Sequence, residues 1–129
     1  MNNKYFVLAG LLAAVSPAWA DNPPTALQVY EQFVTSSAAA SVCLKPDADL
    51  QKKFLGNFEK VGALTVQQVQ KENPEKTREQ VVAALKTRSA AITDKVVAMA
   101  KERGCDDKDV RDVVQRYTMQ ANWQPAKAQ

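Results

Sequence analysis

Residues 77–105 read TREQVVAALKTRSAAITDKVVAMAKERGC and form the longest uninterrupted helical pattern in the chain. Mostly apolar side chains recur there at spacings of three and four residues, which places them on one face of a helix whose other faces carry charges. This face consists of Val81, Leu85, Ser89, Ile92, Val96 and Met99. We therefore predict a long central helix whose apolar face is buried against the rest of the protein.

The same stretch has the residues that begin and end a helix. Thr77 and Gln80 are spaced as a capping box, in which each side chain accepts a hydrogen bond from the backbone N–H of the other residue. Gly104 follows three charged residues, two of them basic, and this order is typical of the carboxyl-terminal end of a helix. The long helix is therefore predicted to begin after Thr77 and to end at Gly104.

An earlier helix is predicted to begin after Thr25 and to end near Cys43. Thr25 is a good N-cap residue, and Pro46 disfavours helical geometry in the residue before it. One side of this helix carries Leu27, Tyr30, Val34, Ala38 and Ser41. Residues 36–41 (SSAAAS) have only small side chains, so we predict that another helix packs closely against this part.

Two shorter helices are predicted between the first helix and the long one. Asp47 is the N-cap of one, Gly62 ends it, and its apolar face carries Leu50, Phe54, Phe58 and Val61. Thr65 is the N-cap of the other, with Gln68 as its capping-box partner and with Leu64 and Val69 placed to form a hydrophobic staple. This helix is expected to stop near Asn73, before Pro74. Alternatively, Asn73 caps the long helix and Pro74 is its first residue.

A fifth helix is predicted after Cys105. Asp106 and Asp107 place negative charge at its positive end, and its apolar face carries Val110, Val113, Val114, Tyr117 and Ala121. Trp123 lies just past this helix, and residues 125–129 are typical of a frayed tail. No stretch alternates polar and apolar residues with a period of two. The fold class is therefore predicted to be all-α, a small bundle of about five helices.

Residues 1–20 differ in composition from the rest of the chain. Lys4 precedes an apolar run, and residues 18–20 match an Ala-x-Ala cleavage pattern. Because the run is too short to span a bilayer, we predict a secretory signal peptide cleaved after Ala20. An uncleaved anchor and a buried core helix are the alternatives. Residues 21–129 would then form a single domain without a membrane span, in a bacterial periplasm or the extracellular medium.

Cys43 and Cys105 are the only two cysteines. Both follow the predicted signal peptide, and export leads to an oxidising compartment, so the sequence predicts one Cys43–Cys105 disulfide. Two free thiols and an intermolecular disulfide are the alternatives.

Most catalytic chemistry is missing from this sequence. The chain has no histidine, which removes Ser-His and Cys-His nucleophile pairs and histidine metal sites. Glycine-rich phosphate-binding loops and the GxSxG motif are also missing. An acidic cluster does not follow the EF-hand pattern and has Lys108 inside it; its members are Asp106, Asp107, Asp109 and Asp112. We therefore expect no enzyme activity, no metal and no cofactor.

Charge and the position of one tryptophan indicate the class of partner. The chain has 17 Lys and Arg against 14 Asp and Glu, and loss of Lys4 leaves a net charge of +2. Basic residues are spread among acids, which argues against nucleic-acid binding. Trp123 either plugs the open end of the bundle or is an exposed anchor for a partner. We expect binding of a macromolecule, another protein. The alternative is a periplasmic stress chaperone, a holdase that exposes apolar helix faces at low pH.

In outline the chain is similar to the periplasmic acid-stress chaperones of enteric bacteria. It shares with them a signal peptide, a short helical domain, scattered charges and a pair of cysteines, here Cys43 and Cys105. The resemblance implies a holdase whose acid trigger would be protonation of the 14 carboxylates.

Overall fold

The computed structural model describes residues 23–124, which form four α-helices and no strand. They are α1 (Ala26–Cys43), α2 (Ala48–Glu72), α3 (Arg78–Arg103) and α4 (Lys108–Ala121). The all-α prediction is confirmed for these residues. The predicted signal peptide and the tail at 125–129 lie outside them.

The two short helices predicted between residues 47 and 73 are one continuous helix, α2. Gly62 does not end it, and Thr65 is not an N-cap. The Thr65 hydroxyl instead donates to the Val61 carbonyl oxygen within α2 (2.7 Å) and lies 3.1 Å from that of Ala26 in α1. A glycine in a helix interior costs about 1 kcal/mol, whereas burial of one valine contributes about 1.5–3 kcal/mol. Val61 and Val66, both buried, therefore offset the cost of the glycine.

The other predicted helix ends agree with the structure. Thr25 and Thr77 each form a complete capping box, and Asp47 accepts from the backbone N–H of Leu50. The open question at Pro74 is resolved, because Thr77 caps α3 and Asn73 is the C-cap of α2. The Asn73 side chain donates to the Val69 carbonyl oxygen at 2.9 Å.

The central helix is α1, and the prediction that α3 holds this place is wrong. α1 contacts each of the other three helices and has the most extensive contacts of the four. Its buried residues lie on several faces and are Tyr30, Phe33, Val34, Ser36, Ala38, Ala39 and Ala40. Short side chains let neighbouring helices approach on more than one side. The small residues at 36–41 therefore explain why α1 is central.

The predicted apolar face of α3 is only partly buried. Val81 and Leu85 are buried, whereas Ile92, Val96 and Met99 are partly exposed. The reason is that α3 packs mainly on α1, so it is covered along one side.

The core is an aromatic cluster between α1, α2 and α4. The rings of Phe54 and Tyr117 stack with centroids 4.0 Å apart, and Phe33 lies 5.4 Å from Phe54. Tyr30 and Phe58 extend the cluster, with centroids 5.3 Å apart. The prediction that the two phenylalanines of α2 belong to the core is confirmed.

A disulfide joins Cys43, the last residue of α1, to Cys105 in the turn between α3 and α4. The Cα atoms are 5.5 Å apart, and 62 positions separate the two residues in sequence. The predicted pairing is confirmed. Among the helices of residues 23–124, none combines the length and the apolarity that crossing a bilayer requires.

Candidate functional site

Trp123 lies directly after α4 and is only half covered. α4 ends at Ala121, and the backbone N–H of Trp123 donates to the Gln120 carbonyl oxygen at 3.3 Å. The residue is 43% exposed, which is unusual for the largest apolar side chain. Trp123 is therefore available for contact with a ligand.

One buried asparagine fixes the backbone around Trp123. The Asn57 amide in α2 donates to the carbonyl oxygens of Gln120 (2.8 Å), Ala121 (3.3 Å) and Trp123 (2.8 Å). The last carbonyl groups of a helix have no partner within it. The Gln120 oxygen also accepts from the Trp123 N–H, whereas the Ala121 and Trp123 oxygens would need water without Asn57. Asn57 is 7% exposed, and its two N–H groups are shared among three acceptors.

A second buried pair ties the end of α4 to α1. The Ser36 hydroxyl donates to the side-chain carbonyl of Gln120 and also lies 3.1 Å from the Phe33 carbonyl oxygen. Ser36 is fully buried and Gln120 nearly so. Within residues 23–124, every buried side-chain nitrogen and oxygen has a hydrogen-bond partner. The end of α4 is therefore held by uncharged hydrogen bonds on two sides.

A groove with a basic wall lies on one side of Trp123. Its volume is about 520 Å³. One wall comes from α2 and includes Lys52, Lys53 and Lys60. The other wall is the end of α4, with Trp123 and Gln124. We call this feature the basic groove.

A second groove, mainly apolar, lies on the other side of Trp123. It has a volume of about 450 Å³ and lies between α1 and α4. Val29 and Phe33 contribute from α1, and Met119 and Arg116 from α4. Met119 is 71% exposed, the most exposed large apolar side chain in the described part of the chain. We call this feature the apolar groove, and Trp123 lines both grooves.

The basic groove carries a net positive charge. Asp49 at its edge pairs with Lys53, with the carboxylate and ammonium groups 3.2 Å apart. Lys52 and Lys60 form no ion pair with any residue of 23–124. One acid against three lysines leaves two positive charges for a ligand.

The acidic cluster at the start of α4 is used structurally. Asp107 caps α4 by accepting from the N–H groups of Asp109 and Val110, and Asp109 lies 3.1 Å from Arg103. Lys108 lies 2.9 Å from Asp112, and the hydrogen bond and charge of that carboxylate raise the pKa of Lys108. Within residues 23–124, no three side chains of the types His, Cys, Asp and Glu are placed to hold a metal ion.

Two further cavities lie away from Trp123. One, of about 140 Å³, lies where the small side chains of α1 face Ser89 and Thr93 of α3, so it reflects short side chains in a helix contact. The other, of about 740 Å³, lies beside Leu64, which is 56% exposed, and its remaining lining residues are Ala26, Gln67, Gln68, Lys71 and Glu72.

Of the residues singled out by sequence, Cys43 and Cys105 are joined, while Trp123 lies apart from them. Sequence reasoning missed Asn57, Met119 and the lysines. The sequence does contain a signal for Asn57, since this residue falls on the predicted apolar face of α2, where a polar side chain needs a buried hydrogen-bond partner. No feature of the sequence marks Met119, because helix packing decides whether a methionine side chain is exposed. No family model, curated protein or solved structure matches the chain.

Proposed function

We propose that the protein acts by binding another protein, with Trp123 as the anchor. The observation that carries the proposal is the combination of a half-exposed tryptophan with a backbone fixed by Asn57. Tryptophan is enriched among the residues that dominate binding energy at protein interfaces. Burying the exposed 43% of a side chain of about 200 Å² contributes about 2 kcal/mol at 25 cal/mol per Å².

Rigidity supports the same proposal. Binding loses free energy when a flexible segment must be ordered, and a residue already held in place avoids much of this loss. Asn57 holds the backbone at Trp123, and the Ser36–Gln120 bond holds the turn before it. Met119 lies beside this anchor with 71% of its surface exposed, so the apolar contact area extends along α4.

We further propose that binding takes place outside the cytoplasm, after removal of residues 1–20, in a bacterial periplasm or the extracellular medium. The Cys43–Cys105 disulfide supports an oxidising compartment. We propose no catalytic role, since the chain has no histidine and Asp49, the one carboxylate that lines a groove beside Trp123, is paired with Lys53.

Site-specific photocrosslinking in the native cells tests the proposal. A photoreactive phenylalanine analogue replaces Met119 in one variant and Ala90, an exposed residue of α3, in the control. We expect a discrete crosslinked protein from position 119 and none from position 90. The crosslink should disappear when Trp123→Ala is added.

Two results would contradict the proposal. Equal crosslinking from positions 119 and 90 would show nonspecific contact. Crosslinking from position 119 that survives Trp123→Ala would show that the tryptophan is not the anchor.

A further inference from the structure

We infer that the basic groove binds a short acidic segment of the partner protein, next to the apolar contact at Trp123. The inference rests on the proposed function and adds the chemistry of the partner. It depends on Lys52 and Lys60, which lie across the groove from Trp123 and Gln124.

Charge complementarity selects an acidic ligand. The groove has three lysines and one aspartate, and the aspartate is already paired with Lys53. Lys52 and Lys60 have no carboxylate partner within residues 23–124, so carboxylates of a ligand would meet them without breaking a described ion pair. Complementary charge at the rim of an apolar contact steers association and rejects partners of the wrong sign.

The length of the groove limits the segment. Lys52 and Lys60 are eight residues apart in one helix, which corresponds to about 12 Å at 1.5 Å per residue. An extended peptide advances about 3.3 Å per residue, so about four residues span the lysines. Trp123 also lines the apolar groove, where an apolar side chain of the same segment would rest near Met119.

A peptide fits these observations better than a nucleic acid. A nucleic-acid strand carries a phosphate on every nucleotide and is bound by broad basic surfaces. Here two unpaired lysines lie on one wall, and Asp49 lies at the edge of the groove. A peptide can combine a few carboxylates with apolar side chains, which matches a basic groove beside an apolar one.

Fluorescence anisotropy with defined probes tests the inference on the purified full-length protein. The first probe is a labelled six-residue peptide of Asp, Glu and Leu. Its amide counterpart has Asn and Gln in place of the acids, and a labelled oligothymidylate and anionic phospholipid vesicles are the other probes. We expect the acidic peptide to bind about tenfold more tightly than its amide counterpart at about 0.05 M salt, and this advantage to shrink at about 0.5 M.

Charge-reversal variants locate the site. Lys52→Glu with Lys60→Glu should weaken binding of the acidic peptide about tenfold and leave the amide peptide unchanged. The matched control reverses Lys86 and Lys95, two exposed lysines of α3, and should bind like the unmodified protein. Circular dichroism checks that each variant is folded, and Lys52→Gln with Lys60→Gln gives a milder second test in the same direction.

Several outcomes would overturn the inference. They are equal affinity for the acidic and amide peptides, equal loss in the two charge-reversal variants, or tighter binding of the oligothymidylate or the vesicles. Self-association that is abolished by Lys52→Glu with Lys60→Glu would make a second copy the occupant and would also overturn it.

The cellular crosslink from position 119 separates this inference from the proposed function. A crosslink that needs Trp123 but not Lys52 or Lys60 leaves the proposed function standing and rejects the acidic segment. A crosslink that needs all three supports both. Absence of any specific crosslink rejects the proposed function itself.

Discussion

Asn57 connects the position of Trp123 to the core more directly than any other described side chain. It lies on α2 between Phe54 and Phe58, yet its amide reaches three carbonyl oxygens at the end of α4. An apolar residue in its place would leave the Ala121 and Trp123 oxygens without a partner among residues 23–124, while the Gln120 oxygen would keep the Trp123 N–H.

Asn57→Ala should therefore lower the free energy of unfolding by about 1–3 kcal/mol and increase the mobility of Trp123. Urea unfolding gives the first quantity. The second is the tryptophan fluorescence anisotropy of the chain from residue 21, in which Trp123 is the only tryptophan. Asn122→Ala is the control, because Asn122 is exposed and makes one side-chain bond, to the Thr118 carbonyl oxygen. Equal effects of the two substitutions would show that Asn57 has no special role.

Tyr117 makes the free energy of unfolding depend on pH in the alkaline range. Its ring is buried against Phe54, and burial raises the pKa of its hydroxyl above the ordinary value of 10.0. Below pH 10 the group is neutral in both states, and its burial contributes fully. Above pH 10 the unfolded chain loses this proton first, so stability falls as the pH rises.

We expect this fall to approach at most about 1.4 kcal/mol per pH unit from this one group. Urea unfolding of the protein and of Tyr117→Phe between pH 9 and pH 11 measures the difference. The phenylalanine variant should lose less stability over that interval. Parallel curves for the two proteins would mean that the hydroxyl is equally solvated in both states.

Most helix ends could be predicted because caps are local. Thr25, Thr77 and Gly104 act through residues within four positions in sequence, so one sequence suffices to find them. The continuation of α2 through Gly62 could not be predicted in this way, since it depends on burial of Val61 and Val66 by distant residues. The central place of α1 was missed for a related reason: alanine and serine show no amphipathic pattern even where they are fully buried.

Two glycine substitutions test the continuity of α2 and the end of α3. Gly62→Ala should stabilise the protein by about 0.5–1 kcal/mol, because alanine favours a helix interior and its Cβ would meet Tyr30 Cε2 at an ordinary 4.0 Å. Gly104→Ala should destabilise it by about 1–3 kcal/mol, because Gly104 has φ 87° and ψ 157°, a region essentially restricted to glycine. Urea unfolding measures both. A loss of stability in Gly62→Ala would indicate a break in α2 at that position.

The disulfide joins the end of α1 to the turn between α3 and α4, two helices that both pack on α1. α3 and α4 hardly contact each other, and Cys105 in the turn between them is bonded to the end of α1. Closing a loop of this length removes unfolded-state freedom equivalent to about 4 kcal/mol in the chain-entropy model.

The double variant Cys43→Ala and Cys105→Ala should therefore unfold at a lower urea concentration, with a free energy of unfolding lower by about 4 kcal/mol. The reduced form of the unmodified protein is the matched comparison and should behave alike. An unchanged midpoint in both would mean that the reduced unfolded chain is already compact.

The charge of the whole molecule bears on whether it presents a fixed surface or opens in acid as a holdase. From residue 21 the chain has 16 Lys and Arg and 14 Asp and Glu, because Lys4 is the only charged residue before it. Protonating the acids leaves the 16 cations uncompensated, which favours expansion by self-repulsion. Two described ion pairs join different helices, Arg88–Glu31 and Arg103–Asp109, and such partly exposed pairs contribute about 1 kcal/mol or less each.

Apart from those two ion pairs, the described contacts that hold the helices together do not titrate in acid. They are aromatic packing, the disulfide and the hydrogen bonds of Asn57, Ser36 and Gln120. We therefore expect the oxidised protein at pH 3 to keep its helical circular dichroism, to bind little hydrophobic dye and to suppress client aggregation no better than at pH 7. The same assays on the reduced protein at pH 3, where the loop closure is lost, provide an opened comparison. A binding surface held by uncharged contacts should not open in acid. Strong dye binding and client protection by the oxidised protein at pH 3 would therefore favour the holdase.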